Sequence, residues 1–219
     1  MSEPRVTRTQ RLTPLEPSAL TAPQSALIAA VEQGPRARHH GRIGMQGPFG
    51  VWLRAPELGF AAQQFGSAVR FGTTLPEALK EIAICTVGAF FRARFEFMAH
   101  APLARAAGVD PVAIEAIRTG ATPVFPVARE QAAYALARTL LTRHRLSDAE
   151  YAAMRAEFSE AELVELVTVI GYYCQISLTL NLFEVPLPER AEDPFPDSAD
   201  TDPADPDRAN SGRADSDRI

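Results

Sequence analysis

The chain has 219 residues, which is enough for one large domain or two small ones with a real hydrophobic core. Its 46% of hydrophobic and 22% of charged residues are typical of a soluble globular protein. The formal net charge of −5 comes from the C-terminal end, because residues 191–219 hold nine acidic residues against three arginines. The rest of the chain is nearly neutral, which argues against binding of nucleic acid through a basic surface.

Neither the cysteines nor the apolar segments indicate secretion or a membrane. Cys85 and Cys174 lie inside apolar helical patterns and form no CxxC pair, so we interpret both as buried structural thiols. The N-terminal residues lack the apolar core of a signal peptide. Residues 163–183 are strongly apolar but contain Glu165 and Asn181, which favours a buried helix over a membrane span. We therefore expect a cytoplasmic protein with no membrane partner.

Helical periodicity dominates the middle of the chain. Residues 1–15 are polar and contain prolines, so they are predicted to be flexible. From residue 16 onward apolar residues recur at helical spacing, and no segment shows the alternation of a strand. The predicted helices span residues 22–33, 49–53, 56–71, 74–90, 95–107, 110–120, 129–144 and 160–182, with one more starting at Ser147. The sequence thus predicts an all-α domain over residues 16–190.

Capping boxes and a change in composition mark the ends of the predicted elements. Serine or threonine followed three residues later by glutamate occurs at residues 74–77, 147–150 and 159–162, and each is predicted to start a helix. After Arg190 the chain consists of Asp, Pro, Ser and Ala with almost nothing apolar. Such a segment cannot bury enough surface to offset its loss of entropy on ordering. Residues 191–219 are therefore predicted to form a disordered acidic tail.

Three proton-carrying side chains fall within one short segment of two consecutive predicted helices. Glu96 and His100 are four residues apart, so their side chains share one face of a helix. Glu81 lies among apolar neighbours on the preceding helix, where burial disfavours the charged form and suits the group to proton transfer. Two plainer interpretations stay open, a rim glutamate paired with an arginine and an ordinary helical i,i+4 contact. No HExxH motif and no clear third ligand occur, so no metal site is predicted.

Two arginines and a tyrosine are candidates for substrate binding. Arg92 lies just before Glu96, and Arg42 lies in a glycine-containing loop. Either guanidinium can hold a substrate carboxylate through two parallel hydrogen bonds, although a solvated surface arginine is the commoner case. Tyr173, in the long last helix, is expected to complete the core or to point its hydroxyl group into a pocket.

The order of these blocks resembles the carboxymuconolactone decarboxylase family, which is related to the alkylhydroperoxidase D proteins. The resemblance rests on a helix with a glutamate, followed by FEFMAHAPLARAAG at residues 95–108 and a short helix near Asp110. GPFGVWLRAPELG at residues 47–59 and the apolar segment that ends at Pro188 resemble the longer members. The family implies an alkylhydroperoxidase D-like helical bundle that assembles as a homo-oligomer, a trimer or a hexamer, with active sites near subunit contacts.

In the peroxidase branch of this superfamily, a relay glutamate precedes a CxxCxxxH motif. Glu81 and His100 match the glutamate and the histidine at the spacing of that pattern, but the two cysteine positions hold Ala93 and Glu96. Peroxide reduction by a dithiol needs a thiolate of low pKa and a second thiol to resolve it. Alkylhydroperoxidase-type activity is therefore the disfavoured alternative.

The Glu-x-x-x-His pattern resembles the decarboxylase branch instead, whose substrate is a carboxylated unsaturated lactone. A conjugated lactone accepts the electrons that departing carbon dioxide leaves behind, so the resemblance implies no metal and no organic cofactor. It implies that His100 is the general acid/base, that Glu96 orients it, and that Glu81 is a relay or second acid. A non-catalytic helical protein that binds small molecules or serves in assembly is the other alternative.

Overall fold

Nine α-helices and one short 3-10 helix, Pro17–Ala19, occupy the residues that the computed structural model describes, 10–35 and 43–196. No described residue lies in a strand, so the predicted all-α class is confirmed. The described residues up to Phe195 form one compact unit. In chain order the α-helices are α1 (Ala22–Gln33), α2 (Gly47–Trp52), α3 (Pro56–Phe71), α4 (Glu77–Phe90), α5 (Arg94–Ala106), α6 (Pro111–Thr119), α7 (Ala128–Arg143), α8 (Asp148–Glu157) and α9 (Glu160–Leu182).

Four of the nine helices begin at a capping side chain, namely α1, α6, α8 and α9. Ser147 and Ser159 begin α8 and α9 with the predicted capping boxes, each completed by the glutamate three residues later. The carboxylate of Asp110 accepts a hydrogen bond from the backbone N–H of Val112 at the start of α6. These contacts satisfy N–H groups that have no partner within the first helical turn.

The predicted capping box at Thr74 is wrong. Helix α4 begins at Glu77, and the backbone N–H and the hydroxyl group of Thr74 both donate to Glu165 on α9, each 3.0 Å from Oε2. Glu77 does not reach back to Thr74, because its carboxylate pairs with Arg70 and with Lys80. The contact of Thr74 with the distant Glu165 replaces the predicted local contact with Glu77. The sequence pattern around Thr74 cannot reveal such a distant partner.

Helix α4 is the centre of the core. Ten of its 14 residues are buried, and it packs against α5, α6, α7 and α9. The approach of α5 is close at Gly88, where an added Cβ would lie 3.4 Å from the backbone nitrogen of Phe97. Because α4 is enclosed by its neighbours, any polar side chain on it needs a partner inside the protein. This requirement explains the arrangement around Glu81 described below.

Helix α9 is the one helix among the described residues that is long and apolar enough to cross a membrane by length and composition. Half of its apolar window is buried within the fold, and nine of its residues are buried in all, including Leu166, Val169 and Ile176. A core helix of a soluble protein has these properties, in agreement with the interpretation drawn from its polar residues. The cytoplasmic location itself stays a prediction.

The first residues of the predicted acidic tail pack against the helices. Phe195 is buried, and its ring lies 5.2 Å from that of Phe97 on α5. Asp193 pairs with Arg94 at 2.9 Å. The folded part thus reaches five residues beyond the predicted boundary at Arg190. Residues 1–9 and 197–219, which hold most of the predicted flexible termini, lie outside the described residues.

Candidate active site

Glu81, Glu96 and His100 converge where α4 meets α5. Glu81 Oε2 lies 2.8 Å from Nδ1 of His100, and Glu96 Oε1 lies 3.0 Å from Nε2 of the same ring. The side chain of Glu81 is fully buried, while 5% of Glu96 and 12% of His100 is exposed. One imidazole therefore bridges two carboxylates in a place with little access to water.

The charge of His100 is set by burial and by the two carboxylates, which act in opposite directions. Burial disfavours the protonated ring, but the charges of Glu81 and Glu96 and their hydrogen bonds outweigh it and raise the pKa of His100 to about 9. At neutral pH both ring nitrogens therefore carry a proton, and each can donate to the carboxylate that it faces. The site therefore holds an imidazolium whose proton is bound more tightly than in a free histidine.

Arg70, near the end of α3, supports Glu81 from the side away from His100. Its guanidinium lies 2.5 Å from Glu81 Oε1 and also pairs with Glu77. Burial alone would lower the pKa of Arg70, but Glu81 and the other nearby anionic groups raise it. Lys80 completes the group, because its Nζ lies 2.9 Å from Glu77 Oε2 and donates to the carbonyl oxygen of Arg70. Each oxygen of Glu81 thus has a cationic partner, which fixes the carboxylate.

A cavity of about 520 Å³ lies against this cluster. Glu96, His100, Arg70 and Tyr173 line it, whereas Glu81 lies behind His100. Most of the remaining wall is apolar and includes Ile43, Phe49, Phe71, Phe95, Met98 and Ile176. Two other cavities, of about 450 and 680 Å³, contain neither His100 nor the two glutamates. A small molecule in the 520 Å³ cavity would meet a few polar groups on an otherwise apolar surface, as is usual for ligand sites.

Of the three residues predicted to bind substrate, the structure places one, Tyr173, at the cavity. Tyr173 lines the cavity, and its ring lies 5.0 Å from that of His100 in an edge-to-face arrangement. Arg92 does not line the cavity; its guanidinium lies 5.3 Å over the ring of Phe195, so the structure does not support its predicted role. Arg42 lies outside the described residues.

Arg70 is the arginine that the sequence reasoning missed. A weak signal was present, since Arg70 lies four residues after the buried Gly66 and next to the buried Val69 on the same helix. An arginine on the buried face of a helix is unusual and indicates a carboxylate partner. The partner Glu81 is on the next helix, so no short motif joins the two residues.

The comparison with known protein families agrees with this geometry. Residues 56–139 match the model of the Carboxymuconolactone decarboxylase family. The similarity to that family covers this part of the chain, which is less than half of its length. The matched segment contains Arg70, Glu81, Glu96 and His100, while Tyr173 lies beyond it on α9. No curated protein matches the chain. The match supports a function of the carboxymuconolactone decarboxylase type in general.

Within the matched segment, the single thiol is poorly suited to peroxide reduction. Cys85 is buried, and burial together with the charges of Glu81 and Glu96 raises its pKa well above the usual value of a thiol. Cys174, on α9, is half-buried, and burial raises its pKa as well. Reactive cysteines are accessible and have a lowered pKa. Both thiols fit the predicted structural role, and neither has the properties of a peroxidatic residue.

Within residues 10–35 and 43–196, no group of three or more His, Cys, Asp or Glu residues has an arrangement that fits a metal ion. The reason at the candidate site is visible, because both nitrogens of His100 face carboxylates and act as donors when protonated. A metal ligand needs a neutral ring with one free lone pair.

Proposed function

We propose that the protein is an acid–base enzyme of the carboxymuconolactone decarboxylase type, acting on a small carboxylated lactone or a related unsaturated carbonyl compound. The observation that carries the proposal is the imidazolium of His100, held between Glu81 and Glu96 at the wall of the cavity. A buried cation paired with two carboxylates is an expensive arrangement for a scaffold that needs only packing. Perturbed titratable groups beside a cavity are typical of catalytic sites.

The proposed reaction needs one proton for each carbon dioxide that leaves. The bond between the substrate carbon and its carboxylate breaks, and its electron pair moves into the conjugated carbonyl system to give a dienolate. His100 then gives the proton on Nε2 to the substrate carbon, and a proton from solvent restores the imidazolium. The electron sink is part of the substrate, so the chemistry requires no added cofactor. The protein supplies orientation, the proton and electrostatic stabilisation.

Each neighbouring residue has a distinct proposed task. Glu96 lines the cavity beside His100, so it orients the ring and holds the Nε2 proton until transfer. Glu81 is a positioning residue, because it holds Nδ1 of His100 and does not line the cavity, and Arg70 fixes Glu81 through their ion pair. Burial and then the charge of Glu96 raise the pKa of Tyr173 well above its usual value, so its hydroxyl group keeps its proton. A protonated phenol in the wall can donate a hydrogen bond to the developing oxyanion.

The balance of charge favours a substrate with a single carboxylate. Arg70, Lys80 and protonated His100 carry three positive charges, against three negative charges on Glu77, Glu81 and Glu96. These six side chains pair among themselves and leave no surplus cation, so each additional carboxylate on the substrate adds a negative charge without a counter-charge in the site. The apolar remainder of the wall suits an apolar body. We therefore expect planar lactone or enone monocarboxylates to react better than dicarboxylates.

A substrate screen with two histidine variants tests the proposal. Unsaturated lactone and enone carboxylates are incubated with the protein, and carbon dioxide release is measured. Replacing the proposed general acid in His100→Gln should lower the rate by about 10²-fold or more while helix content measured by circular dichroism is unchanged. The matched control is His144→Asn, because His144 is exposed and takes no part in the site. Release that continues at full rate in His100→Gln would contradict the proposal.

A further inference from the structure

Two of the cavities share a wall. Three described residues line both the 520 Å³ cavity at His100 and the neighbouring cavity of about 680 Å³, namely Gln46, Phe95 and Pro188. Either cavity alone has a volume within the range of about 300–1,000 Å³ that is usual for a small-molecule site. The proposed substrate therefore lies next to a second, larger space, and the shared wall decides whether the substrate can use it.

The shared wall passes through the start of α2, where the ring of Phe95 packs against the backbone. Gly47 lines the 680 Å³ cavity, and the next residue, Pro48, lines the 520 Å³ cavity. A Cβ added at Gly47 would lie 2.8 Å from Cε1 and 3.0 Å from Cζ of Phe95, so the ring takes the space that a side chain at residue 47 would need. Gly47 also has a positive φ of 56°, which other residues rarely adopt. The glycine thus gives the ring its place between the cavities.

The segment that supplies Pro188 is fixed on both sides of this residue. Before it, Val185 is buried, and its N–H donates to a carbonyl oxygen in the last turn of α9 at 3.0 Å. After it, the N–H of Ala191 donates to the carbonyl oxygen of Pro188 at 2.8 Å. Two residues further on, Asp193 pairs with Arg94 on α5. These contacts keep the segment against the helix that carries Phe95, so the wall has little freedom to open.

The 680 Å³ cavity offers apolar surface without the proposed catalytic residues. Its wall consists mainly of glycine, proline and aliphatic side chains, such as Leu15, Val51, Leu53, Val185 and Leu187. Each methylene group that a ligand transfers from water to such a surface strengthens binding by about fourfold. A substrate with an apolar chain would therefore bind much more tightly if its chain could pass Phe95.

We propose that Phe95 determines the size of the substrate, because its ring closes the substrate cavity toward the 680 Å³ cavity. The inference rests on the proposed function and narrows its substrate class to compact, single-ring monocarboxylates. An apolar chain on that ring gains no affinity, because the aromatic side chain keeps it from the apolar surface beyond. A smaller side chain at residue 95 joins the two cavities and makes that surface available.

Isothermal titration calorimetry with benzoate and 4-octylbenzoate tests the role of Phe95. Both probes are planar monocarboxylates that differ only in the apolar chain, and the measured quantity is the ratio of their dissociation constants within one variant. In the wild-type chain the octyl group should strengthen binding by no more than about threefold, because it finds no apolar surface beyond the ring. In Phe95→Ala this gain should be at least about tenfold larger, which fewer than two buried methylene groups provide. A wild-type gain of the size expected for Phe95→Ala would overturn the inference.

Two further variants separate the wall from its surroundings. Leu187→Ala is the matched control, because Leu187 lines the 680 Å³ cavity but not the substrate cavity, so it should keep the wild-type ratio. Phe95→Leu removes the aromatic ring and keeps an apolar side chain, so it should raise the ratio part of the way even if alanine destabilises the fold. An unchanged ratio in the Phe95 variants, or an equal rise in Leu187→Ala, would contradict a limiting role of Phe95.

The calorimetric test is independent of turnover, since neither probe is an unsaturated lactone or an enone. Failure of the proposed function would appear as absent carbon dioxide release from lactone carboxylates, with the benzoate ratios unaffected. Failure of the inference would appear as wild-type binding that strengthens with the octyl chain, whether or not carbon dioxide is released.

Discussion

Nδ1 of His100 lies 2.8 Å from Oε2 of Glu81, although the two residues are 19 positions apart and on different helices. The contact forms because α4 places Glu81 in the core, where its side chain is fully buried. Helix α5 packs closely enough against α4 to bring His100 to this carboxylate. The second carboxylate, Glu96, lies on the same helix as His100 one turn earlier. The predictions on pH-dependent stability and on the Arg70–Glu81 pair depend on this bridged imidazole.

The stability of the protein should fall as pH rises through the neutral range. The pKa of His100 is about 9 in the folded protein and about 6.5 in the unfolded chain, so the folded state binds this proton more tightly. The resulting stability is fully present below about pH 6.5 and is lost as pH rises toward about 9. Urea denaturation should show a loss of about 2 kcal/mol between about pH 6 and pH 8. His100→Gln should remove that slope, and an equally steep slope in the variant would contradict the assignment.

Arg70 and Glu81 should behave as a coupled buried pair. Replacing either with glutamine leaves the other charge buried with one partner fewer, which destabilises by about 3 kcal/mol or more. The double variant should be less destabilised than the two single variants together, by at least about 1 kcal/mol, in chemical denaturation. The exposed pair Arg143 and Glu150 is the control and should show little coupling. Additive effects at Arg70 and Glu81 would mean that the two charges do not act together.

The thiols should be dispensable for the proposed reaction. Cys85 is buried and Cys174 is half-buried, and burial raises the pKa of both. In the native protein a thiol reagent such as dithionitrobenzoate should leave Cys85 unmodified, and the Cys85→Ala, Cys174→Ala double variant should keep its acid–base turnover. Thiol-dependent consumption of peroxide by the wild-type chain, lost in the double variant, would favour the peroxidase alternative.

The start of α4 should depend on a residue far away in the sequence. Glu165 on α9 accepts hydrogen bonds from the N–H and hydroxyl groups of Thr74. Glu165→Ala should therefore lower the free energy of unfolding by about 1 kcal/mol, as loss of a capping contact does. In that background Thr74→Ala should have little further effect. A full additional loss would show that Thr74 is stabilised by some other partner.

Much of the fold could be predicted because its signals are local. The apolar spacing of α3 and the capping boxes at Ser147 and Ser159 lie within single elements, and the structure has the helices that they predict. The pairing of Glu96 with His100 is also local, since residues four apart on a helix are neighbours. The pairing of Glu81 with His100 was predicted only through the family resemblance, because it depends on how two helices pack.

The remaining features depend on contacts between segments distant in the sequence. Thr74 binds Glu165 rather than Glu77, and the sequence holds no sign of the proximity of α4 and α9 at that point. Arg92 precedes α5 with a positive φ of 48°, and its guanidinium lies over Phe195, a residue predicted to be in a disordered tail. The role of Arg70 could not be predicted, because its ionic partner Glu81 lies on another helix and the two residues form no short sequence motif. Periodicity predicts which face is buried but not which charges meet there.

The protonation of His100 is the most direct test of the central claim and requires no knowledge of the substrate. A ¹⁵N NMR titration of the imidazole ring should show both nitrogens protonated at neutral pH, with a midpoint at about 9. In Glu81→Gln the midpoint should move down, because one of the two stabilising carboxylates is gone. A midpoint near or below 6.5 in the wild-type chain, unchanged by Glu81→Gln, would contradict the bridged imidazolium and the acid–base function built on it.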